Sequence, residues 1–318
     1  MLLSYDFEKI AYEHLYRTLN KCSSGRVKAN INGYMSHIRR FRNFVFSNYN
    51  LEIGVEEKKD DGDHINHIEK KKSVVSPVST YSVKNYGVDI KKATEAVNKF
   101  YTELEADSNA RFLSWEHCYK EFQRSKDLDI NSKELLDYLA LHLSFYLASW
   151  GMLRGSSFLL QKDYKVQYDI VKELFREKYS SLWNIDCKGL QQEDNLSLLM
   201  ELIYTLKSIY EEKRANVKSV ENEVSDILIT KVLMGTLGCL PAYDRYFKAA
   251  LGKYKISTQN LKENSIVGLA KYYEEYEEEL ESVRKKISTA RGLEYPQMKV
   301  LDMAFWQLGF DMSVENES

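Results

Sequence analysis

The chain has 318 residues with 44% hydrophobic and 29% charged, a balance that fills one large core or two lobes and excludes a disordered chain. Only 3 Pro and 14 Gly occur, too few to punctuate the hairpins of a β fold, so the chain reads as all-α, a mainly helical bundle. A formal net charge of −2 neither requires nor excludes nucleic acid, because binding follows where charge sits rather than its sum.

Over residues 5–19, Phe7, Ile10, Ala11, Leu15 and Leu19 recur at helical spacing and predict a first amphipathic helix. Acids arrive early there and no apolar run develops, so no secretory signal is read and a cytoplasmic location is expected. From residue 17 to residue 49 the chain carries Arg17, Lys21, Arg26, Lys28, Arg39, Arg40 and Arg42 without an acid, interleaved with Tyr34, Phe41, Phe44, Phe46 and Tyr49. Cations for phosphates and rings for bases make this a candidate nucleic-acid surface, with Arg39, Arg40 and Arg42 as DNA contacts. A solvated basic face balancing acids elsewhere is the alternative.

Residues 54–80 mix both charges with few large apolar groups and read as a flexible insertion. It separates residues 1–53 from a main helical domain, of one or two lobes, over 81–318. His64 and His67 stand near Asp60, Asp61 and Asp63, but this composition supplies no rigid frame for a metal, and neither metal nor other cofactor is expected.

Further helices are predicted over 89–106, 112–125, 132–150, 158–178, 192–214, 220–235, 241–251, 259–282 and 297–308. In the second of these Trp115, Cys118, Tyr119 and Phe122 share a packing face, while Glu116, His117 and Lys120 read as surface groups. Residues 135–150 are apolar nearly all round. They are too short, and at Asp137 and His142 too polar, to span a bilayer, so that helix is expected to be the buried hub and no membrane is expected as a partner. Cys22, Cys118, Cys187 and Cys239 lie far apart with no C-x-x-C pair and read as reduced core thiols. The acidic run over 272–281 is expected to face solvent.

Two segments concentrate chemistry. In Trp-Gly-Met-Leu-Arg-Gly-Ser-Ser-Phe over 150–158, Arg154, Ser156 and Ser157 crowd one bend, where N–H and hydroxyl donors can meet a phosphate. Equally, Gly151 can close one helix and Ser156 or Ser157 cap the next. Over 229–247 an apolar helix ends at two glycines and the chain restarts after Pro241, so that Asp244 enters a new helix. A carboxylate there accepts backbone N–H bonds and stays ionised, either as a catalytic anion or as a cap paired with Arg245 or Lys248.

The segment 229–247 resembles the helix-hairpin-helix DNA glycosylase superfamily, in which an apolar helix and a Pro-x-x-Asp or Pro-x-Val-Asp segment introduce the catalytic aspartate. The resemblance implies a glycosylase-like helical bundle with Asp244 as the catalytic residue, orienting or deprotonating a water and stabilising the oxocarbenium-like sugar as a flipped base leaves. On that reading Trp150, Tyr243 and Tyr246 line the substrate pocket, and Arg154, Ser156, Ser157, Lys231 and Arg245 contact DNA. Ser225 stands near the spacing where bifunctional members carry a Schiff-base lysine, so the implied reaction is hydrolysis of the N-glycosidic bond of a modified or damaged base, in repair or anti-phage defence, without strand cleavage. The Leu-Pro-Gly hairpin of the family has no counterpart ahead of Asp244. The competing reading is a non-enzymatic helical interaction or nucleic-acid-binding protein. A polar pocket at Asp244 distinguishes the two, whereas oligomeric state is not legible.

Overall fold

A computed structural model describes residues 86–155, 157–215, 217 and 223–315. The helix expected over 5–19, the basic segment with Arg39, Arg40 and Arg42, the 54–80 insertion, Cys22 and Ser156 all lie outside the described residues. Among the described residues the regular structure is helical, with no strand. None of these helices is long and apolar enough to cross a membrane.

Local chemistry sets several helix ends. α1 (Ile90–Ala106) starts where the Asp89 carboxylate accepts the Lys91 N–H, and it buries Ala93, Val97, Phe100 and Leu104 along one stripe. α2 (Leu113–Ser125) buries the expected face of Trp115, Cys118, Tyr119 and Phe122. α3 (Lys133–Ser149) is capped by Ser132 through the Leu135 N–H. It closes where Gly151 takes φ 72° and the Met152 N–H returns to the Leu147 carbonyl. Then come α4 (Tyr168–Leu174), α5 (Cys187–Leu190), α6 (Glu193–Arg214), α7 (Asp226–Thr236), α8 (Arg245–Lys253), α9 (Glu263–Glu275), α10 (Glu277–Arg291) and α11 (Gln297–Glu315).

Two predicted helices are divided. Over 158–178 the chain forms short 3₁₀ turns at Phe158–Gln161 and Tyr164–Gln167 before α4, because Ser157 and Asp163 each accept an N–H two residues ahead and restart the chain. The predicted helix 259–282 is broken at Tyr276 (φ −120°, ψ 36°) into α9 and α10. Glu277, Glu278 and Glu279 then occupy the first turn of α10, where a helix N-terminus stabilises negative charge. Tyr272, Tyr273 and Leu280 of the acidic run are buried, and only part of its surface faces solvent.

The expected hub is also reassigned. In α3, Tyr138, Leu141 and Phe145 are 45%, 46% and 63% exposed, so that helix covers the core from one side. The enclosed helices are α7, buried continuously from Leu228 to Thr236, and α11, buried from Met298 to Gly309. α7 packs against α2, α3 and α6, and α11 against α1, α8, α9 and α10. At Gly309, α11 approaches α8 so closely that a Cβ would lie 2.0 Å from the Tyr246 carbonyl oxygen. Each fully buried Leu or Phe in these helices contributes about 1.5–3 kcal/mol.

Glu116 is a further correction. Instead of lying on the surface it is buried, receives Arg291 Nε and Nη2 at 2.9 and 2.6 Å and also accepts from the Tyr295 hydroxyl. It ties α2 to the end of α10. His117 is exposed as expected.

Candidate active site

The site begins with the end of α7. Gly238 takes φ 72°, which lets the Leu237 and Gly238 N–H groups both return to the Leu233 carbonyl at 3.1 and 2.9 Å. A side chain there would also meet Pro296, 2.4 Å from a Cβ. The chain then runs without regular structure to Asp244, held by side chains of the two enclosed helices. Ala242 N–H donates to Asp302 Oδ1 on α11 at 3.0 Å, and Tyr243 N–H to Thr230 Oγ1 on α7 at 3.1 Å.

Asp244 is the N-cap of α8. Its Oδ1 accepts the N–H groups of Tyr246 and Phe247, both at 3.1 Å, and Oδ2 accepts Trp306 Nε1 at 3.1 Å. The N–H bonds expected at this position are therefore present. Burial nevertheless pushes the carboxyl above the usual carboxylate range, and Asp302 adds to the rise. The Phe247 N–H, Lys231 and the Trp306 indole oppose it without cancelling it.

Asp244 lines a cavity of about 570 Å³, within the size range of small-molecule and cofactor sites. Its walls include Trp150, Tyr246, Trp306 and Phe158. Trp306 meets Tyr246 edge-on at 5.5 Å and Trp150 at 6.4 Å between ring centroids. Arg111, Arg154, Lys231 and Arg245 supply four cations to the lining, against Asp244 and Glu223 as its acids. Arg111, Arg154 and Arg245 are exposed, and none forms a salt bridge among the described residues. The Trp150 indole N–H is buried with no acceptor among the described residues.

Of the residues singled out in the sequence, Asp244, Trp150, Tyr246, Arg154, Ser157, Lys231 and Arg245 come together on this cavity. Ser157 also caps the turn at Phe158–Gln161, and Gly151 closes α3, so the capping role read for the bend over 150–158 is present. Tyr243 is displaced from the expected lining. It is buried in the core with its hydroxyl 2.9 Å from Ser265 Oγ. Lys231 is not a surface cation, since it is 5% exposed and its Nζ donates to the Trp150 carbonyl at 2.8 Å. Burial lowers its proton affinity, partly offset by Asp244 and Asp302. Lys231 and Asp244 share the cavity without a contact ion pair.

Arg111 and Trp306 were missed. Arg111 sits in the turn before α2 with its guanidinium over the Phe112 ring at 4.9 Å, and no motif surrounds it. Trp306 lies in a helix buried on all sides, where one more aromatic carries no signal.

No protein-family model matches the chain, and no curated protein or solved structure matches it significantly.

Proposed function

We propose that this protein is a monofunctional DNA glycosylase that hydrolyses the N-glycosidic bond of a modified or damaged base, on a bundle of the helix-hairpin-helix glycosylase type. One observation carries the reading: a partly buried carboxylate of raised proton affinity lines an aromatic-walled cavity whose rim arginines have no acidic partner among the described residues. A non-enzymatic scaffold gives no reason for that combination.

In this reading an extruded nucleotide enters the cavity with its base against Trp150, Tyr246 and Trp306, while Arg111, Arg154 and Arg245 meet the flanking phosphates. The glycosidic C–N bond breaks with its electron pair going to the base. Asp244 stabilises the positive charge that develops on the sugar, and water then adds to C1′ as its proton passes to the carboxylate. The raised proton affinity of Asp244 favours that transfer. Lys231, anchored by the Trp150 carbonyl, provides a fixed counter-charge.

Incubation with duplexes carrying varied modified bases tests the proposal by chromatography of released base. Wild-type protein is expected to release at least one of them, and Asp244→Asn to be slower by about 10²-fold or more. Unchanged release by the variant overturns the assignment.

The lowered proton affinity of Lys231 favours a second reading, in which its amine rather than water attacks C1′ and forms an imine with the opened sugar. Borohydride reduction decides between them. The hydrolytic reading gives no trapped adduct, whereas an adduct lost in Lys231→Gln establishes the amine as nucleophile.

A further inference from the structure

Among the apolar residues of α11, two charged side chains are buried almost completely. Lys299 and Asp302 are each 2% exposed, and Lys299 Nζ lies 2.8 Å from Asp302 Oδ2. Removing both charges from water costs more than such a pair commonly regains, and apolar residues would fill the space as well. Stability alone does not explain the pair.

Its contacts point to the cavity. Asp302 Oδ1 accepts the Ala242 N–H at 3.0 Å, in the irregular turn two residues before Asp244. The Lys299 ammonium lies over the rings of Trp115, Phe100 and Trp150 at 4.9, 5.2 and 5.5 Å from their centroids. Trp150 is a wall of the cavity and carries the carbonyl that holds Lys231. One ion pair therefore grips the turn that delivers Asp244 and, on its other side, an aromatic wall of the same site.

We propose that Asp302, held by Lys299, is a positioning residue for Asp244, fixing the approach of the turn over 241–244 and setting the field behind the carboxylate. The catalytic role of Asp244 rests on the function proposed above, but the coupling of the two carboxylates does not. Lys231 on α7 also acts on Asp244, and Arg245 on α8, Arg111, Arg154 and Glu223 share the cavity lining with it. Asp302 differs from them in touching the turn through a hydrogen bond. Its charge raises the proton affinity of Asp244, second only to burial among the upward influences.

The test uses the full chain with ¹³C-labelled aspartate, following the Asp244 carboxyl by NMR titration, with base release measured against pH. Asp302→Asn alone leaves Lys299 buried without a counter-charge and can fail to fold. The paired variant Lys299→Met with Asp302→Asn removes both charges and keeps an oxygen acceptor for Ala242. In that variant the Asp244 midpoint is expected to fall, because Asp302 touches the turn while Lys299 touches rings, and the acidic limb of the base-release profile is expected to move down with it. Lys299→Met with Asp302→Leu, which also loses the acceptor, is expected to lower kcat by about tenfold or more with KM little changed. An Asp244 midpoint unmoved in the folded paired variant overturns the inference. If wild-type protein releases no base, the proposed function fails, and the carboxyl titration still decides the coupling.

Discussion

Trp306 donates its indole N–H to Oδ2 of Asp244 at 3.1 Å, so the last described helix supplies a hydrogen bond to the N-cap of α8 from 62 residues away. Replacing Trp306 by Phe keeps an aromatic ring against Tyr246 and removes that donor. The indole holds the Asp244 pKa down, so its loss is expected to move the carboxyl midpoint further up. Base release near neutral pH is expected to change by about tenfold, a hydrogen bond to a charged group being worth ~1.5–3 kcal/mol. An unchanged midpoint by NMR would show that the indole does not act on Asp244.

The raised pKa of Asp244 also has a consequence for stability. A carboxyl that binds its proton more tightly when folded makes the native state less stable as pH rises through the folded pKa. Asp244→Asn removes that titration and keeps an oxygen for the Tyr246 and Phe247 N–H groups. The melting temperature of the variant relative to wild type is therefore expected to shift upward as pH rises, and the difference to level off once Asp244 is fully ionised. A pH-independent difference would contradict the burial argument.

The rim arginines separate affinity from chemistry. If Arg111 and Arg154 each contact a phosphate, changing either to Gln is expected to weaken duplex binding similarly across sequences. It should also reduce the slope of log K against log salt by about 1. Fluorescence anisotropy at several salt concentrations reads this directly. A slope equal to wild type in both variants removes them from the DNA interface.

Acid stability has a different seat. Burial works against the charge on Glu281, but Arg284, Tyr273 and Gln297 all donate to it and push its pKa down to about 2 from the usual 4.5. A lowered carboxylate pKa contributes stability that is present above the unfolded value and lost as pH falls from there towards 2. Glu281→Gln is expected to cost on the order of 2–3 kcal/mol at neutral pH, and chemical denaturation should show that cost fading across this acidic window. A constant difference from pH 7 to pH 2 would rule the mechanism out.

Helix content and many helix ends are local properties, and they were legible. Ser132 and Asp244 each accept an N–H two or three residues ahead, and Gly151 closes α3 through its positive φ. These interactions need only neighbours in the chain, which is why Asp244 could be singled out from a proline, a break and a carboxylate. The same locality misled at residues 135–150, because apolar character all round a helix does not say how many neighbours will cover it. Tyr138, Leu141 and Phe145 remain exposed, and burial fell to α7 and α11 instead.

What the amino-acid order determined by itself was the helical character of the described residues, an aspartate capping the helix after Pro241 and a glycine-flanked arginine bend after α3. Tertiary structure alone decided that these two places face one cavity, that Lys231 enters it and Tyr243 does not, and that α11 bonds Asp244 through Trp306 and Ala242 through Asp302. The physical reason is distance along the chain. Lys231 meets the Trp150 carbonyl across 81 residues, and Asp302 meets Ala242 across 60. Such contacts, and the burial that shifts the proton affinities of Asp244 and Lys231, exist only once the enclosed helices have packed.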